Sequence, residues 1–116
     1  LDQRYRDQGV RAFAVHPGGI HTELGRHLND ESLQALMDRM PPGDATPWKS
    51  IPQGAATSVY TATTPDLDGK GGVYLEDCHI AEQTDDPVSR SGVRAYALDP
   101  ATADALWSLS ERLVDA

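Results

Sequence analysis

The first half of the chain contains one continuous apolar run between polar segments. Residues 1–8 are polar and fit the last turns of a helix, and Gly9 is placed to end it in a left-handed conformation. Residues 10–16 then form a short, almost uninterrupted apolar run that ends at residues 17–19 (Pro-Gly-Gly). Such a run is typical of a strand buried on both faces of a parallel sheet. The order helix, glycine, strand and loop predicts the second half of a crossover unit.

The next segment predicts a helix within a long loop. Asn29 or Asp30 can cap this helix at its amino end, where the helix dipole favours acidic side chains. Its apolar residues at helical spacing are Leu33, Leu36, Met37 and Met40. Residues 41–49 (PPGDATPWK) have the composition of a loop, so the helix is expected to stop before them.

Capping residues predict two more helices. Ser50 and Gln53 have the spacing of a capping box, so one helix is expected to begin at Ser50 and to end at residues 63–65 (Thr-Thr-Pro). Asp99 followed by Pro100 is typical of a helix start and predicts the last helix. The apolar stripe of that helix is Ala103, Leu106, Trp107, Leu113 and Val114.

Only one further strand is predicted, at residues 72–75 (Gly-Val-Tyr-Leu), and residues 76–92 are expected to be irregular. Two strands cannot form a stable open sheet, because both faces and both edges need partners. The pattern therefore predicts an α/β fold that needs more strands than the chain supplies, with an unpaired edge near residues 73–75.

Composition narrows the function classes. The 116 residues fit one domain, and the net charge of −8 argues against nucleic acid as a partner because it repels phosphate backbones. No apolar run reaches the roughly 20 residues of a membrane-spanning helix, and residues 1–9 lack the apolar core of a secretory signal. The single cysteine, Cys78, excludes an internal disulfide, so a cytoplasmic location is expected. Because Leu1 rather than Met begins the chain, processing or a longer parent protein is expected.

An ordered set of motifs carries a family resemblance. Residues 13–25 read FAVHPGGIHTELG, a strand followed by His-Pro-Gly-x-x-x-Thr-Glu-Leu. This segment resembles the end of the sixth strand in the short-chain dehydrogenase/reductase family, in particular the branch of retinol dehydrogenases and WW-domain oxidoreductases. Residues 53–57, 71–78 and 97–107 resemble that family's next helix, seventh strand and C-terminal helix in the same order.

The resemblance implies a fold for the whole chain. Residues 1–116 would be the C-terminal segment of a doubly wound, parallel-sheet, Rossmann-like domain. They would supply its last two strands, a substrate-lid helix and the C-terminal helix, with residues 24–49 as the lid region.

The acid–base residues of the family are absent from this segment. Its catalytic Tyr-x-x-x-Lys cannot be formed, because Ala45 and Asp66 stand four positions before the only lysines, Lys49 and Lys70. The glycine cluster at residues 69–72 precedes a predicted strand, whereas a dinucleotide loop follows one. No catalytic residue is therefore assigned to this chain.

What the resemblance implies instead is one wall of a site for NADP or NAD, built by Pro17, Gly18, Gly19, Ile20 and Thr22. The backbone N–H and C=O of Ile20 would pair with the nicotinamide carboxamide, which both donates and accepts. The Thr22 hydroxyl would bind the carboxamide or a phosphate oxygen. Pro17 and Gly18 would let the chain turn sharply beside the ring.

The lid region implies the substrate class. Its apolar inner residues would be Leu24, Leu28, Leu33, Leu36 and Met37. They suit a small lipophilic alcohol, aldehyde or ketone, and His21 stands where this branch often has arginine. The resemblance further implies a homo-oligomer, or association of the chain with its own N-terminal segment.

Two rival hypotheses stay open. In one, the chain is a catalytically inactive binding or assembly module that recruits a partner by strand pairing. In the other, it is an unrelated small α/β domain. A metal site is not assigned, because the spacing of His16, His21 and Glu23 matches no zinc or iron site. Cys78 and His79 are adjacent and are interpreted as structural residues rather than a nucleophile pair.

Overall fold

The chain folds into a three-stranded mixed sheet with helices. The structure is a computed structural model, and it describes residues 1–20, 22–39 and 48–114. Its strands are β1 (Ala14–His16), β2 (Tyr74–Glu76) and β3 (His79–Ile80). The helices of these ranges are α1 (Asp2–Tyr5), α2 (Asp30–Met37), α3 (Ile51–Thr63) and α4 (Pro100–Val114). Short 3-10 turns occupy Arg6–Gln8, Glu23–His27, Pro65–Leu67 and Ala95–Leu98. The predicted α/β class is confirmed.

The first strand is shorter and more exposed than its sequence predicted. β1 runs parallel to β2 with Val15 opposite Leu75, and it has no strand partner on its other side among the described residues. Of the predicted strand at residues 10–16, only Ala14–His16 forms, and Val10 and Ala14 are exposed. Burial on both faces was therefore wrong for this chain, because one edge and part of one face lack neighbours here.

A hairpin that the sequence did not predict places β2 at the centre of the sheet. β3 pairs antiparallel with β2 across the two-residue turn of Asp77 and Cys78, whose φ angles are 46° and 60°. This left-handed pair is the turn geometry that fits the twist of a hairpin. Two expectations were wrong: residues 76–92 are not all irregular, and residues 73–75 form no unpaired edge. Both errors have one cause, which is that the hairpin turn was not recognised. Cysteine is an unusual residue in a left-handed two-residue turn.

Helix α3 packs on the joint face of β1 and β2. The predicted capping box is confirmed, because the Ser50 side chain accepts from the Gln53 N–H and the Gln53 side chain accepts from the Ser50 N–H. Thr57 is 1% exposed, and its hydroxyl accepts the Cys78 N–H at 3.3 Å. Leu75 is completely buried. The helix thereby fixes both the centre of the sheet and the turn that ends β2.

The other predicted caps are also confirmed. The Asn29 side chain accepts the Ser32 N–H at 2.8 Å in front of α2, and the Asp99 side chain accepts the Thr102 N–H at 2.9 Å in α4. Gly9 has a φ of 79° after the first helical turns. Met40 and the predicted loop at residues 41–47 lie outside the described residues.

The chain buries little apolar surface by itself. Among the described residues, the buried hydrophobic side chains are Leu67, Leu75, Ala81 and Val93. Most of the α4 stripe is exposed, and Leu113 is 70% exposed. The radius of gyration is 17.1 Å, whereas a compact chain of this length has about 13 Å. The chain is therefore less compact than a typical domain of its length.

An ion pair between the buried Asp2 and the partly exposed Arg11 joins the first helix to the segment before β1. Asp2 is 6% exposed and accepts the Arg11 Nε–H at 2.9 Å and the Ala12 N–H at 3.0 Å. The Arg11 guanidinium, and then the Ala12 N–H, hold the pKa of Asp2 below its ordinary value of 3.8. The Gly72 N–H donates to the Ala12 carbonyl at 2.8 Å, so the glycine cluster at residues 69–72 closes onto this contact.

The isolated 116-residue chain is expected to be molten or to aggregate. Its sheet edge and apolar helix face would meet water, so calorimetry should show no cooperative melt and the dye ANS should bind. The full-length protein is the control and should melt cooperatively with little dye bound. A sharp melt of the isolated chain at monomeric mass would contradict this prediction.

Replacing Asp2 by Asn is expected to destabilise the full-length protein at neutral pH. Because the folded-state pKa is lowered, the carboxylate contributes fully above pH 3.8 and loses its contribution as pH falls through the lowered pKa. Urea unfolding over a pH series should therefore show a stability gap between wild type and Asp2→Asn that closes on acidification. Asp7→Asn, at an exposed position, is the matched control and should show no gap. A gap that is independent of pH would contradict the role of the charge.

Candidate functional site

The loop at residues 17–20 lies at the carboxyl end of β1. Because β1 and β2 are parallel, this loop and the turn after β2 emerge on the same edge of the sheet. Ligands of open α/β sheets bind outside the carboxyl ends of their strands. Gly18 has a φ of 90°, a conformation that residues other than glycine rarely adopt. The topology thus puts the predicted cofactor loop where such folds bind ligands.

The side chain of Ile20 packs against helix α3, and its backbone groups make no backbone hydrogen bond with the residues that the structure describes. A Cβ on the buried Gly54 of α3 would lie 2.5 Å from Ile20 Cγ1, so only glycine admits this approach. Ile20 forms a parallel bridge with Lys49, and the hydrogen bond of that bridge joins the Lys49 N–H to the Gly19 carbonyl at 2.9 Å. In the described part of the chain, no backbone hydrogen bond uses the N–H or C=O of Ile20. This pair is the donor and acceptor that the family resemblance assigns to a carboxamide.

The side chains of Trp48 and Lys49 cover the two glycines of the loop, Gly19 and Gly18. The Trp48 ring would lie 3.5 Å from a Cβ on Gly19. The Lys49 side chain crosses Gly18, where an added Cβ would lie 2.8 Å from Lys49 Cε. The two glycines therefore make room for the Trp48 and Lys49 side chains.

An ion pair connects this loop to the β2–β3 turn. The Lys49 ammonium contacts the Asp77 carboxylate. The hydrogen bond from Lys49 is the main cause that lowers the pKa of Asp77 below its ordinary value of 3.8, and the nearby His79 and His16 act in the same direction. Asp77 is therefore charged at neutral pH, and the pair is present there.

Thr22 and the lid region are described in part. Thr22 is exposed, and its carbonyl accepts the Gly25 N–H at 3.0 Å where the 3-10 turn begins. Leu28 is half exposed between this turn and α2. His21, residues 40–47 and the side chains of Leu24, Leu33, Leu36 and Met37 lie outside the described residues. The lid's apolar inner surface stays a prediction.

The remaining polar groups near this edge have structural partners. The buried Glu76 accepts the Gly92 N–H at 2.7 Å and so fixes the segment after β3. The His16 ring stacks on Tyr74 with centroids 6.4 Å apart, and burial raises the pKa of the Tyr74 phenol. Cys78 is half-buried and has a free thiol. Over the described ranges, no group of histidine, cysteine and acidic side chains has the arrangement of a metal site.

Comparison with known proteins adds three relatives that cover almost the whole chain. A "Probable oxidoreductase" of Streptomyces lividans is 42% identical over 90% of this chain and 37% of its own length. The "Short-chain dehydrogenase/reductase prx1" of Penicillium rubens is 37% identical over 99% of this chain and 34% of its own length. The "Short-chain dehydrogenase TIC 32 B, chloroplastic" of Brassica napus is 37% identical over 99% of this chain and 32% of its own length.

These relatives support the short-chain dehydrogenase/reductase family. The chain spans about a third of the length of the curated relatives that it matches. No family model matches the sequence, and no solved structure matches it. The predicted branch of the family and the doubly wound architecture stay predictions. Because one relative is named chloroplastic, a cytoplasmic location also stays a prediction. No helix in the described ranges is long and apolar enough to cross a membrane.

Sequence reasoning missed the residues that support the loop at residues 17–20. Lys49 was considered only as a catalytic lysine. Asp77 is 28 positions away from Lys49, so no local spacing rule connects them. Gly54 did carry a signal, because a helix rich in small residues predicts close packing. Only the tertiary structure shows that the Ile20 side chain occupies the space beside Gly54.

Proposed function

We propose that this chain is the C-terminal segment of an NAD(P)-dependent oxidoreductase, in which residues 17–22 form the nicotinamide side of the cofactor site. The observation that carries the proposal is the backbone of Ile20, whose N–H and C=O make no backbone hydrogen bond with described residues at the carboxyl end of a parallel strand. The names of the relatives support a general oxidoreductase role.

The residues of the loop fit a nicotinamide by their chemistry. Gly18 has no side chain of its own, and the Lys49 side chain lies across it where a Cβ would stand. The N–H of Ile20 would donate to the carboxamide oxygen, and its C=O would accept from the carboxamide nitrogen. The Thr22 hydroxyl would add a hydrogen bond to the carboxamide or to a phosphate oxygen. When bound, the cofactor would supply or accept a hydride at its nicotinamide ring. The chain's part is to hold that ring with one face toward the substrate.

The substrate side of the proposal rests on the lid. Residues 24–49 would close over a small lipophilic alcohol, aldehyde or ketone, with apolar side chains toward it. Proton transfer would need a tyrosine and a lysine outside this chain, because the chain holds no Tyr-x-x-x-Lys. The complete site would therefore join this segment to an upstream segment, and the whole protein would be a homo-oligomer.

Two exposed surfaces favour a second candidate function, that of an assembly module without catalysis. Leu106, Leu113 and Val114 of α4 are exposed, and the outer edge of β1 has no strand partner in the described chain. Such surfaces recruit protein partners. The two candidates differ in whether the full-length protein binds a nicotinamide dinucleotide.

Replacing Thr22 by Val is expected to weaken NAD(P)H binding to the full-length protein. Valine keeps the size of threonine and removes the hydroxyl, and one hydrogen bond of about 1 kcal/mol corresponds to a roughly five-fold change in the dissociation constant. Fluorescence titration with NADH and NADPH measures this constant.

Thr22→Ser is the matched control, because it keeps the hydroxyl and should bind almost as well as wild type. Equal affinities for the valine variant and wild type would contradict the role of Thr22. Absence of NADH and NADPH binding by the wild type would contradict the oxidoreductase proposal and favour the assembly module.

A further inference from the structure

Lys49 contacts the proposed nicotinamide loop with both its backbone and its side chain. Its N–H donates to the Gly19 carbonyl at 2.9 Å, and it pairs with Ile20 as an isolated bridge. Its aliphatic chain lies across Gly18. One residue therefore touches the three consecutive positions that precede and include the proposed carboxamide partner.

The charged end of Lys49 is anchored to a rigid part of the fold. Its ammonium contacts Asp77, the first residue of the β2–β3 turn. The second residue of the turn, Cys78, donates its N–H to the buried Thr57 hydroxyl of α3. Asp77 is therefore fixed by the hairpin on one side and by the helix on the other. The ion pair ties the loop to this framework.

The position of the pair separates its effect on the loop from an effect on folding. The side chains of Lys49 and Asp77 are 26% and 64% exposed. Ion pairs at such positions contribute little to global stability. The effect of the pair on ligand binding can be larger than its effect on stability. A small loss of order in a binding loop weakens ligand binding and leaves the fold intact.

From these contacts we infer that Lys49 and Asp77 are a positioning pair for the nicotinamide. The pair holds residues 18–20 so that the Ile20 backbone groups meet the carboxamide, and neither side chain takes part in hydride or proton transfer. This inference rests on the proposed function and adds the residues that set its affinity for the nicotinamide half of the cofactor.

The test uses two variants of the full-length protein. Lys49→Met keeps an unbranched apolar chain over Gly18 and removes the charge. Asp77→Asn removes the opposite charge with a residue that tolerates the left-handed conformation at this turn. The matched controls are Lys70→Met and Asp68→Asn, which make the same changes at exposed positions in the turn before β2.

Two ligands separate positioning from a general structural role. NAD(P)H carries the nicotinamide, whereas ADP-ribose, or its 2′-phosphate for an NADP-specific protein, lacks it. We expect each site variant to weaken NAD(P)H binding by about two- to five-fold, the upper part of the range for an exposed ion pair. ADP-ribose affinity and the melting temperature should stay at wild-type values. The double variant should lose no more than either single variant, because both remove one interaction.

Three outcomes would overturn the inference. Equal losses for NAD(P)H and ADP-ribose with a lower melting temperature would make the pair a structural contact only. Unchanged NAD(P)H binding in both variants would show that the loop holds its position without the pair. If the wild type binds neither ligand, the proposed function itself fails. The first two results leave the proposed function standing.

Discussion

The parallel pairing of β1 with β2 is the interaction on which the rest of the chain depends. It brings Val15 opposite Leu75 although the two lie in distant parts of the sequence, and it gives α3 a surface on which to pack. Gly54 and Thr57 of that helix contact the segments that follow the two strands. Gly54 leaves room for Ile20 after β1, and Thr57 accepts a hydrogen bond from the turn after β2. The carboxyl ends of both strands are thereby held by the same helix, and the candidate site lies at this edge.

The sheet also explains why the described residues bury little apolar surface. β1 has a partner on one side only among the described residues, and the buried hydrophobic side chains there are few. Conformational entropy has to be offset by apolar burial, and a small core offsets little of it. The relatives are about three times as long, which agrees with a fold completed by further chain. The exposed stripe of α4 follows from the same constraint.

Local features of this chain could be predicted from its sequence, and contacts between distant segments could not. The caps at Ser50, Asn29 and Asp99 depend on neighbouring residues, and all of them formed as expected. The hairpin through Asp77 and Cys78 was missed because its left-handed turn lacks the usual glycine or asparagine. Strand burial at residues 10–16 was overestimated because, among the described residues, β1 has a strand partner on one side only. For the site, the loop at residues 17–22 could be named from its motif, whereas its supports required the tertiary structure.

A crystal structure of the full-length protein with NADP or NAD bound would test the central claim most directly. The account predicts that the nicotinamide lies at the carboxyl end of β1. Its carboxamide would be hydrogen-bonded to the N–H and C=O of Ile20, with Gly18 and Lys49 in the conformations described above. A nicotinamide bound elsewhere, or an Ile20 backbone paired with another part of the protein, would contradict it.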